Sequence, residues 1–202
     1  MKKSIFFAFT LTAVSFAYCL QSCSDNKEKN ATHAKQDPEV SRVLPEDTIK
    51  RGEYLVTVMG CNDCHSPKKM GANGPEIIPE LMLSGYPSDR PLVKFDSKLI
   101  KSGFGMFYPD LTAAAGPWGV SFAANLTPDK TGIGDWTEQQ FRKALTQGKF
   151  KGLDNTRSLL PPMPWTNYSS LSDNDLKSIF AYLKSIKPVK NVVPNHVSPD
   201  KM

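Results

Sequence analysis

Cys61-Asn62-Asp63-Cys64-His65 is the stretch that decides how this chain folds, because two thiols three positions apart with an adjacent imidazole form an attachment motif for c-type haem. Thiols about one helical turn apart can add to the two vinyl groups on one edge of a porphyrin. His65 then lies where it can bind the iron as the proximal axial ligand. The motif predicts one covalently bound haem c with Cys61 and Cys64 as its attachment points.

Two other uses of a Cys-x-x-Cys pair have to be weighed, a redox dithiol and half of a zinc site. The chain has four cysteines, and the other two, Cys19 and Cys23, lie in the N-terminal segment. The rest of the chain therefore has no second pair to complete a zinc tetrad. A thioredoxin-like dithiol would lie in a βαβ pattern, whereas helix and Pro/Gly-rich loop surround this motif. The cysteine inventory favours haem.

Residues 1–22 have the layout of a lipoprotein-type signal peptide: a basic start, an apolar run from Ile5 to Ala17, and a final Leu20-Gln21-Ser22-Cys23. Those last four residues resemble a lipobox, in which Cys23 becomes the lipidated first residue after cleavage. The alternative is an ordinary signal peptide with a chance cysteine. The pattern predicts a bacterial protein that is exported and anchored to the membrane by a lipid at Cys23, on the periplasmic or cell-surface side.

The charge distribution and the predicted export are both compatible with a haem protein outside the cytoplasm. The formal net charge is +5, and the basic residues are interspersed with acidic ones rather than gathered on a stripe, so no nucleic-acid partner is predicted. Haem of the c type is attached outside the cytoplasm, where the signal peptide would deliver the chain. An acidic redox partner could dock on such a surface, but the sequence does not locate the patch.

Composition divides the remainder into a tether, a domain and a tail. Residues 23–45 are polar, with too few large apolar groups to form a core, and are predicted to be a flexible tether. Residues 46–190 form one haem domain, and 191–202 a C-terminal tail. Within the domain, 66–125 is a long irregular insertion in which Pro and Gly recur. Short strands or turns packed at the haem edge are expected there rather than disorder.

Helical periodicity predicts three main helices and an all-α fold around the haem. The first covers about 46–59 and is broken by Gly60 just before the haem motif. The second begins at the capping box Thr137-Glu138-Gln139-Gln140 and stops at Gly148. The third runs from Ser172 to Ile186, with Asp175 in the capping-box position.

Low-spin electron-transfer haem needs a second axial ligand, commonly Met or His. Met163 is the leading candidate because it lies in Leu160-Pro161-Pro162-Met163-Pro164-Trp165, where flanking prolines restrict the backbone. Met82 and Met106 remain as alternatives, and a core methionine that fills a gap is the structural alternative for Met163.

Trp136 ends the stretch Gly132-Ile133-Gly134-Asp135-Trp136. Its indole N–H is a hydrogen-bond donor that can reach a haem propionate, which makes Trp136 a candidate cofactor-binding residue. A packing role at the entry of the second helix is the alternative, and the sequence favours neither strongly.

These residues together resemble the class I c-type cytochromes with one haem, over about 46–190. Arg51-Gly52-Glu53-Tyr54-Leu55-Val56, Asn125-Leu126-Thr127-Pro128-Asp129 and Pro162-Met163-Pro164-Trp165 are similar to a bacterial subgroup of cytochrome subunits of periplasmic dehydrogenases. The resemblance implies the all-α cytochrome c fold, with His65 as proximal and Met163 as distal iron ligand. It also implies redox partner proteins, namely a dehydrogenase, a terminal oxidase or another cytochrome.

The function predicted from the sequence is single-electron transfer between partners outside the cytoplasm by a His/Met-ligated haem, without catalysis of its own. One alternative is an electron-accepting subunit of a periplasmic dehydrogenase complex. Another is a haem sensor or enzyme with an open iron position. The chain has no catalytic Ser/His/Asp set, phosphate loop or nucleotide fingerprint that would support intrinsic catalysis.

Overall fold

The computed structural model describes residues 45–202, which contain five α-helices and two small antiparallel sheets. The predicted signal peptide, Cys23 and nearly all of the predicted tether lie outside these described residues. No helix within 45–202 combines the length and the apolar character needed to cross a bilayer. The helices are α1 (Pro45–Val58), α2 (Cys61–His65), α3 (Ser97–Lys101), α4 (Glu138–Gln147) and α5 (Asp173–Ser185). The strands are β1 (Lys68–Gly71), β2 (Gly74–Ile77), β3 (Met106–Phe107), β4 (Ala113–Gly116) and β5 (Gly119–Phe122).

The first and last helices cross where α1 has no side chain. Gly52 of α1 is buried, and a Cβ placed there would overlap the carbonyl oxygen of Ser178 and lie 2.7 Å from Cβ of Tyr182, both on α5. The absence of a side chain therefore lets the two backbones approach closely. Arg51 adds an ion pair to Asp175 in the first turn of α5, with Nε 3.0 Å from Oδ1.

The three predicted main helices are confirmed, and so are their ends. Thr137 accepts a hydrogen bond from the backbone N–H of Gln140 and the Gln140 side chain accepts one from the N–H of Thr137, so the capping box is complete. Gly148 ends α4 in the left-handed conformation, with φ at 63°. Ser172 caps α5 by accepting from the N–H of Asp175. These features are local in sequence, which is why they are predictable.

Two hydrophobic clusters organise the described residues. The main core unites the buried faces of α1, α4 and α5, and a smaller second cluster lies in the insertion. The buried residues of the main core are Leu55, Val56, Leu83, Ile133, Phe141, Leu145, Leu176, Ile179 and Leu183. The second cluster is formed by Ile100, Ala115 and Val120, with Phe95, Met106, Phe122, Val197 and Met202 packed against it.

The all-α expectation holds only in part, because the insertion contains strands. β1 and β2 form a hairpin in which Lys68 is opposite Ile77. β3, β4 and β5 form an antiparallel three-stranded sheet in that order, and the whole of β4 is buried. The small side chains Ala113–Ala115 let this strand lie between its neighbours and the rest of the fold. The insertion is thus ordered, as the sequence predicts.

The predicted C-terminal tail packs on the insertion. Val197 pairs with Val120 of β5 through hydrogen bonds of 2.8 and 3.0 Å in both directions. Asn191 is buried, and its side-chain amide donates to the carbonyls of Ser84 and Tyr86 at 2.7 and 2.9 Å. Asn191 of the tail therefore contributes side-chain hydrogen bonds to the interior of the fold.

Candidate haem site

The attachment motif is an isolated short helix set off by a left-handed glycine. Gly60 has φ at 69° and lies between α1 and α2, and its carbonyl accepts from the N–H of Asp63 at 3.0 Å. A Cβ on Gly60 would lie 2.8 Å from the Asp63 carboxylate. The predicted break in the first helix is confirmed, and it separates α1 from α2.

Both thiols of the motif are free and half-buried. Burial is the main cause that raises the pKa of Cys61 to about 11, and burial followed by the neighbouring Asp63 charge also raises the pKa of Cys64. Redox-active Cys-x-x-Cys pairs have the opposite property, a lowered thiol pKa. The environment of these cysteines therefore does not favour the redox dithiol alternative.

The zinc alternative needs further ligands near the motif. Across residues 45–202 no group of three or more His, Cys, Asp or Glu side chains is arranged to hold a metal ion. A protein zinc site is built from three or four such side chains. The described part of the chain thus offers no zinc site around Cys61 and Cys64.

His65 is oriented by a backbone carbonyl of the insertion. Its Nδ1 lies 2.7 Å from the oxygen of Ala124, and since a carbonyl can only accept, Nδ1 carries the proton. Burial lowers the pKa of His65, partly opposed by that hydrogen bond, so the ring is neutral. Nε2 then has its lone pair available for iron, and the hydrogen bond at Nδ1 fixes the orientation of the ring.

Asn125 holds the chain that carries this carbonyl. Its buried side chain accepts from the N–H and the hydroxyl of Thr127 at 2.9 and 2.8 Å, and it donates to the carbonyl of Val189 at 2.8 Å. The turn that follows Ala124 is therefore fixed at several points. The Asn125 to Asp129 motif is recognisable in the sequence, but its support of His65 depends on hydrogen bonds between distant segments.

Met163 lies in a loop that is fixed to the insertion. Its N–H donates to the carbonyl of Leu160 at 3.2 Å, and the Ser121 hydroxyl donates to the carbonyl of Pro161 at 2.7 Å. The side chain is half-buried and packs against the main core. Trp165, two residues on, places its ring against Gly148 at the end of α4.

Met82 and Met106, the alternative candidates for the axial ligand, lie in different surroundings. Met106 packs against the second cluster of the insertion, away from the main core. Met82 packs against the main core, as Met163 does, but it belongs to a segment attached to the His65 end of the motif. In that segment the N–H of Leu83 donates to Ser66 Oγ at 2.8 Å and the N–H of Gly85 donates to the carbonyl of His65 at 2.7 Å.

Tyr168 is a site residue that the sequence analysis misses. Its hydroxyl donates to the carbonyl of Met59 at 3.3 Å, which joins the segment after Met163 to the end of α1. Its pKa is raised by burial and then by the nearby Cys61 and Cys64. The Met163 loop therefore leads into a segment beside the attachment cysteines. Tyrosine is common in cores, so no sequence signal marks this one.

Trp136 is half-buried against the main core. Its backbone N–H donates to the carbonyl of Ile133 at 3.1 Å. That its indole N–H bonds a haem propionate stays a prediction.

The residues present fit a haem. Cys61, Met163 and Trp136 pack against one apolar core, and Cys64 and the neutral imidazole of His65, with one nitrogen available, follow Cys61 in the same short helix. The family profile described as cytochrome c matches residues 49–187. The chain belongs to the cytochrome c family. Haem c is therefore its cofactor, and the single Cys-x-x-Cys-His provides for one. The predicted class of electron carrier is confirmed with it.

Curated relatives of this cytochrome are subunits of bacterial dehydrogenases. The gluconate 2-dehydrogenase cytochrome c subunit of Pantoea cypripedii is 33% identical over 143 residues, 70% of this chain and 24% of the relative. The fructose dehydrogenase cytochrome subunit of Gluconobacter japonicus is 30% identical over 155 residues, 75% of this chain and 24% of the relative. The cytochrome c subunit of the quinone alcohol dehydrogenase of Gluconobacter oxydans is 30% identical over 146 residues, 71% of this chain and 23% of the relative. The chain spans about a quarter of the length of these proteins.

Proposed function

We propose that this cytochrome transfers single electrons between redox proteins outside the cytoplasm, with Cys61 and Cys64 holding the haem and His65 and Met163 as axial ligands. The observation that carries the proposal is the hydrogen bond from His65 Nδ1 to Ala124, which leaves Nε2 available, together with a Met163 loop that adjoins the attachment cysteines through Tyr168. When bound, the haem supplies an iron that alternates between ferric and ferrous states.

The contacts of the two candidate methionines favour Met163 over Met82 as the distal ligand. Met82 is joined through Leu83 and Gly85 to Ser66 and His65, which lie on the proximal side. Met163 enters from the loop between α4 and α5, which has its own attachment to β5 through Ser121. The Met163 loop is bonded to β5 rather than to the residues next to His65 in the chain, which favours Met163 for the position opposite His65.

The protein's part in electron transfer is to keep the ligands in place and to exclude water. The hydrogen bond to Ala124 holds the His65 ring, and the turn at Leu160 holds the Met163 backbone. Leu55, Val56 and Leu176 belong to the buried apolar core against which Cys61 and Met163 pack. A site whose ligands do not move between oxidation states needs little rearrangement, which suits rapid exchange of electrons.

Met163→Ala tests the ligand assignment and the carrier function together. Wild-type protein is expected to show the weak charge-transfer band of Met-ligated ferric haem and to bind carbon monoxide poorly in the ferrous state. The variant should lose the band, bind carbon monoxide readily and have a lower reduction potential, because the iron loses its thioether ligand. A redox-titrated visible spectrum measures all three properties.

Met82→Ala is the matched control, since Met82 packs against the same core. It should keep the band. If Met82→Ala loses the band and Met163→Ala keeps it, the ligand is Met82. Wild-type protein that binds carbon monoxide readily would instead indicate a haem sensor or enzyme with an open iron position.

We further propose that a dehydrogenase is the electron donor, with this cytochrome as a separate carrier or as an electron-accepting subunit of the complex. The support is that the relatives are named as cytochrome subunits of dehydrogenases for gluconate, fructose and alcohol. A terminal oxidase or another cytochrome would then receive the electron. Co-purification with a dehydrogenase distinguishes the subunit from the free carrier.

We propose that the protein is a lipoprotein anchored at Cys23 on the periplasmic or cell-surface side of a bacterial membrane. The support is the lipobox-like Leu20-Gln21-Ser22-Cys23 after an apolar run, since c-type haem is attached outside the cytoplasm. In the native host, Cys23→Ser should abolish incorporation of labelled fatty acid and move the cytochrome from the membrane to the soluble fraction. Equal membrane retention of both proteins would contradict the anchor.

A further inference from the structure

Lys68 places a cation at the end of the haem-attachment helix. Its ammonium donates to the carbonyls of Asp63 at 2.6 Å, Ser66 at 3.1 Å and Asn62 at 3.4 Å. The last carbonyls of a helix have no partner within it and carry partial negative charge, so a cation there is favourable. Lys68 thus binds the backbone of the haem motif itself.

The same ammonium reaches across to the insertion. It donates to the carbonyl of Asp110 at 3.0 Å, although Asp110 is far away in the sequence. Lys68 is half-buried, and its four carbonyl partners restrict where its charge can lie. A surface lysine that extends into solvent would have no such set of partners. The charge is therefore held at one place beside the motif.

Asp110 is a firm anchor for that contact because its side chain is buried and fully engaged. Its carboxylate lies 2.7 Å from Nη2 of Arg90 and accepts from the N–H and hydroxyl of Thr112 at 3.0 and 2.6 Å. The Arg90 guanidinium lies over the rings of Tyr86 and Tyr108, 5.0 and 4.7 Å from their centroids. The Asp110 backbone is thus fixed from several sides.

The segment that anchors Lys68 also supports the partner of His65. The carbonyl of Thr112 accepts from the N–H of Ala123 at 2.8 Å, and the next residue is Ala124, whose carbonyl accepts from His65. One part of the insertion therefore contacts the attachment motif both at its proximal histidine and at its carbonyl end.

We propose that Lys68 is a positioning residue that holds the attachment motif against the insertion at Asp110, and that its fixed charge raises the reduction potential of the haem. This inference rests on the proposed function, since it assumes that haem is bound at Cys61, Cys64 and His65. Ferric haem carries one more positive charge than ferrous haem. A fixed cation nearby therefore favours the ferrous state, more so where it is partly shielded from water.

The test compares Lys68→Met with Lys69→Met in the mature haem protein. Both variants lose one positive charge from neighbouring positions of β1, but Lys69 is exposed and makes none of the backbone contacts of Lys68. At the wild-type midpoint potential, Lys68→Met should lower the ferrous-to-ferric ratio about threefold to tenfold, tenfold being about 59 mV for one electron. Lys69→Met should change it less than twofold.

Two more variants separate charge from hydrogen bonding. Lys68→Arg keeps the charge and should retain most of the wild-type potential. Lys68→Gln keeps a donor without the charge and should show the lowered potential even if Lys68→Met binds haem poorly. Equal shifts for the Lys68 and Lys69 variants, or a wild-type potential in Lys68→Gln, would overturn the proposal.

The spectrum and the reduction potential test two separate properties, the iron ligand and the charge at Lys68. The wild-type spectrum reports whether the iron has a methionine ligand, independently of any Lys68 variant. If that band is absent but the Lys68 and Lys69 variants differ as expected, the ligand assignment is wrong and the role of Lys68 is supported. If the band is present in wild type and in every variant but the potentials coincide, the role of Lys68 is wrong.

Discussion

Five consecutive residues predict His65 as the proximal iron ligand. The atom that orients its ring, however, lies 59 positions further along the chain, in the carbonyl of Ala124. A backbone carbonyl exists at every residue, so nothing in the sequence distinguishes this one. The same holds for the Met59 carbonyl that accepts from Tyr168. Side-chain chemistry can be predicted at the scale of a residue, but a backbone partner depends on how distant segments meet.

The lowered pKa of the Asp110 carboxyl leads us to expect that the stability of the protein depends on pH. Burial tends to raise the pKa of its carboxyl, but the hydrogen bonds from Arg90 and Thr112 outweigh burial and hold the pKa below its ordinary value. A carboxyl with a lowered pKa in the fold stabilises the protein above the unfolded pKa of about 4, and that stabilisation is lost as the pH falls through the folded pKa.

Asp110→Asn should therefore destabilise the protein at pH 7 by about 1–3 kcal/mol, and its difference from wild type should shrink towards pH 3. Urea unfolding of the haem protein at pH 3 to 7 measures this. Asp154→Asn is the control, because Asp154 also has a lowered pKa, owing first to its hydrogen bond with Lys143, but is exposed. A difference between Asp110→Asn and wild type that is the same at both ends of the pH range would contradict the prediction.

At the scale of elements, helices α1, α4 and α5 agree with the sequence because their signals are local. The capping box at Thr137 and the stop at Gly148 act within a few residues, and so does the cap at Ser172. The strands of the insertion are short and have no regular alternation, so their pairing is decided by partners elsewhere in the chain. β3 is only two residues long.

Gly52→Ala is a test of the crossing between α1 and α5. Helix propensity alone predicts that alanine stabilises an interior helix position by about 1 kcal/mol relative to glycine. The added Cβ would instead overlap the Ser178 carbonyl and press on Tyr182. We expect a net loss of about 1–3 kcal/mol in the free energy of unfolding, measured by urea or thermal denaturation.

Gly105→Ala is the control for that substitution. A Cβ on Gly105 would lie 3.9 Å from the Ala115 carbonyl, which is an ordinary contact. Its effect on the free energy of unfolding should therefore be small. A Gly52→Ala variant as stable as wild type, or more stable, would show that the helices can separate without loss.

On the scale of the whole molecule, the insertion and the C-terminal segment support each other and the haem site. The family match ends at residue 187, yet Asn191 and Val197 are joined by hydrogen bonds to Ser84, Tyr86 and Val120 of the insertion. Asn125 in turn donates to the carbonyl of Val189. Segments beyond the matched region thus help to hold the turn that carries Ala124.

The sequence by itself determined the cofactor and the three main helices, and it supplied the candidate attachment residues and the candidate axial methionine, because each depends on residue types at fixed local spacing. Only the tertiary structure decided that Met106 lies away from the main core, that Ala124 orients His65 and that Lys68 joins the attachment motif to Asp110. Those relations are made by backbone atoms and by contacts between segments far apart in the chain. Residue identities alone do not encode them, since they arise only when the core and the insertion pack together.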